Sequence, residues 1–222
     1  TSEAFYTEIT RTTDNILAIN PKVLEPKHYL SLLNEEDHRI TVAKKIPLAF
    51  TYRGEFRCRG SYLLKSEHLY FTQNGDYTIY SWDNNRIKPV VTVDFGKYSY
   101  NPTQLNEEPH APATRNKVLS IINVKEIRSN LFFNTNKIGL FVYNKTRHQI
   151  VHAYGITNTN LGIVLHNSIA TEDTHNEIVA FSYDMPILQR KLTGIASDNP
   201  VIKQIQNAKE DDNPLLFLYK SI

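Results

Sequence analysis

The stretch Leu69–Gly96 alternates three β-rich runs with two tight-turn signals, and no other part of the chain limits the fold as strongly. Gln73-Asn74-Gly75-Asp76 holds the Asn-Gly pair that supplies positive φ at a tight hairpin. Asp83-Asn84-Asn85 offers a second turn, from residues that tolerate the left-handed region. Between the turns Tyr77–Trp82 alternates and is rich in β-favouring side chains. Leu69–Thr72 and Ile87–Phe95 are its expected neighbours, and Ser61–Leu64 reads as one more strand before them. Pro89 stands near the start of the last run, where a missing N–H does least harm.

A degenerate copy of this unit follows at Leu131–Tyr154. Leu69, Tyr70 and Phe71 match Leu131, Phe132 and Phe133 at an offset of 62 (131 − 69). Tyr80 matches Tyr143 and Ile87 matches Ile150 at an offset of 63, which places one inserted residue in the first loop. Asn144-Lys145-Thr146 takes the place of Asp83-Asn84-Asn85. A repeated meander predicts an array of small sheets, and such arrays bind or scaffold more often than they carry a self-announcing catalytic motif.

The remaining segments fit a sheet-rich chain. Phe5–Ile9, Ile16–Ile19 and Ile40–Ile46 read as strands, with Pro21 and Pro26 interrupting regular structure. His28–Leu33, with Tyr29, Leu30, Leu32 and Leu33, reads as a short helix. Lys97–Asn116, with Pro102, Pro109 and Pro112, is a long excursion between units. A fainter third unit runs through Gly162–Asn167 and Ile178–Tyr183. Ser197-Asp198-Asn199-Pro200 announces a helix with apolar positions Val201, Ile202 and Ile205. Glu210-Asp211-Asp212-Asn213-Pro214 ends it, and Leu215–Tyr219 reads as a closing strand.

Composition narrows the function classes. A hydrophobic fraction of 41% over 222 residues is enough for a real core. The 13 Tyr and 10 Phe, against one Trp and one Met, suit pleated faces. With a net charge of +2 and both signs interspersed, no nucleic-acid footprint is expected. Cys58 is the single cysteine, so no intrachain disulfide can form. No apolar run approaches the ~18 residues of a membrane helix, and Thr1-Ser-Glu-Ala-Phe5 lacks the features of a signal peptide.

Two stretches carry a resemblance. Tyr77-Thr-Ile-Tyr80 followed by Val91-Thr-Val-Asp-Phe-Gly-Lys97 resembles the blade signature of NHL/TolB-like six-bladed β-propeller proteins, an exported family of unknown function. Glu210-Asp-Asp-Asn-Pro-Leu-Leu216 is similar to that family's closing segment. The resemblance covers about residues 55–222 well and the first fifty weakly. It implies an all-β fold, one β-propeller domain over 1–222, an extracytoplasmic location in the periplasm or at the cell surface, and no catalytic residue. A six-bladed ring needs on the order of 300 residues at ~40–50 per blade, so the chain accommodates about four blades and the expected shortage is N-terminal.

The residues themselves offer little chemistry. His148 and His152 have the spacing that binds zinc on a helix, but on a strand four residues span about 13 Å, too far for one metal. Ser66, Glu67 and His68 are residue types of a hydrolytic relay, but neighbours on a strand point to opposite faces. The carboxylates Glu35-Glu36-Asp37, Glu107-Glu108 and Glu210-Asp211-Asp212 fall in loops or at helix ends, where acids are usually solvated. Cys58 between Arg57 and Arg59 fits a buried strand position, and Asn144-Lys145-Thr146 fits a turn better than a glycosylation site. Tyr70, Phe71 and Tyr80 are assigned to core packing. Tyr98 and Tyr100, beyond the strand end, are the expected ligand contacts. No catalytic residue, metal or cofactor is expected; the partner is an unknown carbohydrate or protein, and the alternative is a carbohydrate-active lyase or hydrolase with its site at the channel mouth.

Overall fold

A computed structural model describes residues 8–11, 15–19, 28–34, 40–45, 63–65, 68–73, 76–83, 86–100, 116–136, 139–153, 156–165, 178–209, 212 and 215–220. These residues are mostly strand. The first meander is β1 (Glu8–Arg11), β2 (Asn15–Ile19), β3 (His28–Asn34) and β4 (Ile40–Lys45), hydrogen-bonded in that order. The second is β5 (Leu63–Lys65), β6 (Leu69–Gln73), β7 (Asp76–Asp83) and β8 (Arg86–Thr92), also in chain order. The third is β9 (Ile121–Ile127), β10 (Asn130–Thr135), β11 (Leu140–Asn144) and β12 (Gln149–Ala153), ordered β12-β11-β10-β9. Two hairpins follow, β13 (Ile156–Asn158) with β14 (Ile163–Leu165), and β15 (Ile178–Tyr183) with β16 (Leu215–Lys220). Helices α1 (Met185–Leu192) and α2 (Pro200–Asn207) lie between β15 and β16 in the chain.

The turn chemistry does what it predicts. Gln73 pairs with Asp76 across Asn74-Gly75, and Asp83 pairs with Arg86 across Asn84-Asn85. Pro89 lies on β8, an edge strand, opposite a register shift at Ile79/Tyr80. His28–Leu33, expected as a short helix, is instead the strand β3, paired with β2 on one side and β4 on the other. A single helical turn in water is unfavourable to nucleate. Two flanking strands satisfy every second backbone group of β3 on each side, and that outweighs local preference. The repeat also needs one correction. Trp82 pairs with Ile87 and Tyr143 pairs with Ile150, so Tyr143 corresponds to Trp82 rather than to Tyr80. The extra residues sit in the β11–β12 turn, where His148 adopts φ +52°.

The chain divides into two compact units, 1–126 with 133–138 and 127–132 with 139–222, and the boundary runs through β9 and β10. In the first unit Leu30, Leu63, Leu69, Phe71, Trp82 and Ile122 form a buried cluster. Phe71 and Tyr80 stack there at 5.1 Å between ring centroids, so Tyr70 and Phe71 are buried and Tyr80 is partly so, as core packing requires.

In the second unit the two helices supply the core. Met185, Leu188 and Leu192 of α1 and Ile202 and Ile205 of α2 pack with Leu140, Leu161 and Ile163. Asn199 caps α2, its side-chain oxygen accepting from the Val201 N–H, and Pro200 follows at the first helical position. Val201, expected on the apolar stripe, is exposed. Each helix also closes the other's C-terminus. The Gln189 amide donates to the carbonyls of Ile205 (3.2 Å) and Ala208 (2.6 Å), and the Gln206 amide donates to those of Leu192 and Ile195, both at 3.0 Å. These bonds satisfy carbonyls that a helix end leaves without partners.

Candidate functional site

The two ends of the excursion, which carry the expected ligand contacts Tyr98 and Tyr100, are joined at a latched base in the first unit. After β8 the chain makes a short 3-10 turn at Gly96–Tyr98. Ser99 then forms a parallel bridge with Val118, and the Val118 N–H donates to the Tyr98 carbonyl at 2.8 Å. Lys117 Nζ reaches the Lys97 carbonyl at 2.6 Å. Tyr77, on β7, completes the closure. Its hydroxyl donates to the Val118 carbonyl at 2.6 Å and accepts from the Tyr100 N–H. Burial pushes the Tyr77 hydroxyl up to about 12. A side chain of the sheet thus holds both strands of the excursion's neck.

The two residues expected to contact ligand separate at this neck. Tyr98 is 41% exposed, with the Lys97 ammonium 5.2 Å from its ring centroid. Tyr100 is 4% exposed, and its backbone serves the latch. Residues 101–115, Glu35-Glu36-Asp37, Glu107-Glu108, Cys58 with its arginines, Ser66 and Glu67 lie outside the described residues.

A second arrangement escaped sequence reasoning. Glu126, on β9, is 1% exposed, and its Oε2 accepts from His68 Nδ1 at 2.9 Å and from the Tyr70 hydroxyl at 2.7 Å. The His68 side chain is 48% exposed. His68 therefore does form a carboxylate pair, with a residue 58 positions away rather than with its sequence neighbours. An ionised carboxylate can only accept, so Nδ1 carries the hydrogen of this bond. Asp83 lies one residue beyond the Leu69–Trp82 pair, on the same side of the sheet end as His68. A hydrogen bond from Lys88 holds the Asp83 carboxyl below its ordinary range, with a smaller contribution from His68.

The repeat shows that the meander does not require this cluster. At the offset of 62, His68 and Tyr70 become Asn130 and Phe132 in the third sheet. There Asn130 accepts a hydrogen bond from the Asn144 amide at 2.8 Å. One sequence signal could have singled out Glu126, namely an acid inside a strand-like run whose other members include Ile121, Ile122, Val124 and Ile127.

The histidines of the third sheet take other roles. His148 hydrogen-bonds the Tyr143 hydroxyl at 3.0 Å, and His152 stacks on Phe141 at 4.6 Å. Among the described residues no group of three His, Cys, Asp or Glu side chains is arranged to hold a metal ion. Asn144 spends its side chain inside the turn, accepting from the Arg147 N–H at 2.7 Å. In the second unit a cleft of ≈ 370 Å³ is lined by Asn158, Asn160, Leu161, Asn199 and Val201.

Comparison with known proteins bears on the fold alone. No family model matches the chain, and no curated protein matches it. Among solved structures it is similar to a candidate exported protein from Bacteroides fragilis NCTC 9343, with a TM-score of 0.59 and 14% identity. The match covers 98% of this chain and 66% of that one, so the chain spans less than two thirds of its structural neighbour. At that identity the likeness establishes a shared all-β architecture of antiparallel sheets. No helix among the described residues is long and apolar enough to cross a membrane.

Proposed function

We propose that this chain is a set of β-propeller blades, about four of a six-bladed NHL/TolB-like ring, acting as a binding module outside the cytoplasm. The observation that supports this most is the succession of three four-stranded antiparallel meanders in chain order, the unit from which such rings are built. The fold likeness to a candidate exported protein favours the location. The ligand is a carbohydrate or a protein segment, and it meets the face shaped by residues 97–116. Tyr98 supplies an exposed ring there, and Tyr100 sets the loop's exit from the neck. Long irregular insertions on regular scaffolds tend to carry recognition.

Replacing residues 101–115 with a short Gly-Ser bridge tests the reading, because the neck already holds both ends together. The parent chain should capture ligands from an oligosaccharide array or a peptide-display library, and the bridged variant should fold but lose the ligands held by the excursion. Equal capture by both would remove the excursion from the site. Absence of capture by the parent from either source would count against a binding module.

A second reading, a carbohydrate-active lyase or hydrolase, is favoured by one observation, the His68–Glu126 pair. An Nε2 fixed by a buried carboxylate is suited to accept a proton from substrate. Under this reading His68→Ala and Glu126→Gln each lower oligosaccharide cleavage by about 10²-fold or more. Failure of the parent chain to cleave any member of an oligosaccharide panel would sink it.

A further inference from the structure

We propose that the cleft between the β13–β14 hairpin and the first turn of α2 binds an uncharged, hydroxyl-rich ligand of mono- or disaccharide size. The inference rests on the binding reading above but concerns a different surface, in the second unit. At ≈ 370 Å³ the cleft falls within the ~300–1,000 Å³ of small-molecule sites. Among the described residues its lining contains no charged side chain: three asparagines stand there with Leu161 and Val201. Such a surface gives a carboxylate or ammonium nothing to pair with. It does suit a molecule that offers hydroxyl donors and acceptors on its edges and C–H groups on its face.

The cleft is also fixed in shape. The Asn199 amide donates to the Asn160 carbonyl at 3.0 Å while its oxygen caps α2, so helix and hairpin are stapled together through one side chain. Asn158 Oδ1 accepts from the Leu161 N–H at 3.1 Å, and Gly162 turns the hairpin at φ +66°. Leu161 is buried and forms the floor. Val201 is 42% exposed, on the wall of the cleft, although its neighbours Ile202 and Ile205 are buried. An asparagine amide offers two donors and two acceptor lone pairs. Asn199 uses one donor and one lone pair in the staple and cap, which leaves one of each for a ligand. A fixed, neutral site loses little entropy on binding, which offsets part of the cost of desolvating its amides.

Among the described residues, the lysines of α1 and α2 beside these elements are already engaged. Lys203 Nζ pairs with Asp198 at 3.0 Å, and Lys191 Nζ donates to the Val164 carbonyl at 3.2 Å. Neither contributes to the lining.

The test is an amide-resolved NMR titration of the full chain with glucose, N-acetylglucosamine, maltose and cellobiose. At least one sugar should bind with a Kd on the order of millimolar or tighter, moving the amides of 158–162 and 199–201. Asn160→Ala, which removes a lining amide while keeping the carbonyl that accepts from Asn199, should weaken that binding about tenfold. Val201→Glu should abolish it. A carboxylate is tolerated in the first turn of a helix, so this variant should retain the fold, as unchanged amide shifts over α1 would verify. The bridged 101–115 variant should bind the sugars as the parent does. Shifts confined to 97–118 would overturn the cleft while leaving the binding module standing. Absence of shifts with all four sugars, or equal affinity in Asn160→Ala and Val201→Glu, would overturn the cleft outright. The array and display experiment judges the broader reading separately.

Discussion

Removing one oxygen from Tyr77 should loosen the neck of the excursion and leave the sheet intact. Tyr77→Phe keeps the ring, including its edge contact with Phe95 at 5.1 Å, so packing is preserved. What is lost is one hydroxyl that donates to the Val118 carbonyl and accepts from the Tyr100 N–H. Val118 is fully buried and Tyr100 nearly so. A buried backbone group deprived of its partner costs about 1–3 kcal/mol, so two such groups predict a loss of roughly 2–6 kcal/mol, less whatever water recovers in a partly buried site. Urea unfolding of parent and variant should give a lower midpoint at unchanged slope. Hydrogen exchange should accelerate selectively at Ser99, Tyr100 and Val118, with β6 and β7 protected as before. A loss below about 0.5 kcal/mol with unaltered exchange at these amides would refute the latch.

Three other perturbations follow from the described geometry. Gln73 is 1% exposed, and both its amide oxygen and nitrogen lack a hydrogen-bond partner among the described residues. Gln73→Met should therefore be neutral or stabilise by about 1 kcal/mol in the same urea assay, and a clear destabilisation would mean the amide is satisfied. Burial raises both Tyr77 and Tyr80 to about 12, with Asp76 adding to the effect at Tyr80. Their stabilisation is complete below the unfolded value near 10 and is lost as pH rises through about 12. Absorbance titration of tyrosinate should show late-ionising groups, one of which disappears in Tyr77→Phe. The linked loss for Tyr77 is about 1 kcal/mol after discounting for solvent screening. Leu188→Ala, at the fully buried centre of the second unit's core, should cost about 2–5 kcal/mol by calorimetry or denaturant unfolding.

Local signals were legible where sequence and neighbours agree. The Gln73–Asp76 and Asp83–Arg86 strand pairs and the Asn199-Pro200 helix start all lie where local chemistry predicts, because each is decided within a few residues. The apolar cluster of β3 was ambiguous, since Tyr29, Leu30, Leu32 and Leu33 satisfy either period, and only the pairing with β2 and β4 decides it. Helix α1 went unread although Asp184 precedes Met185-Pro186 and Met185, Leu188 and Leu192 keep helical spacing. Strand β9 was overshadowed by the excursion before it. The candidate sites were less legible still. The Tyr77 hydroxyl meets residues 23 and 41 positions away, and Glu126 meets His68 at 58. Contacts at such separations leave no spacing for a sequence to display.

The latched neck turns the segment between Tyr100 and Asn116 into a cassette. Because Tyr77 and the Ser99–Val118 bridge carry the closure, the ends of that segment are held together independently of its length, and loop-closure entropy rises only slowly with each added residue. A lineage could therefore lengthen or shorten this segment at small entropic cost, and a protein engineer could do the same.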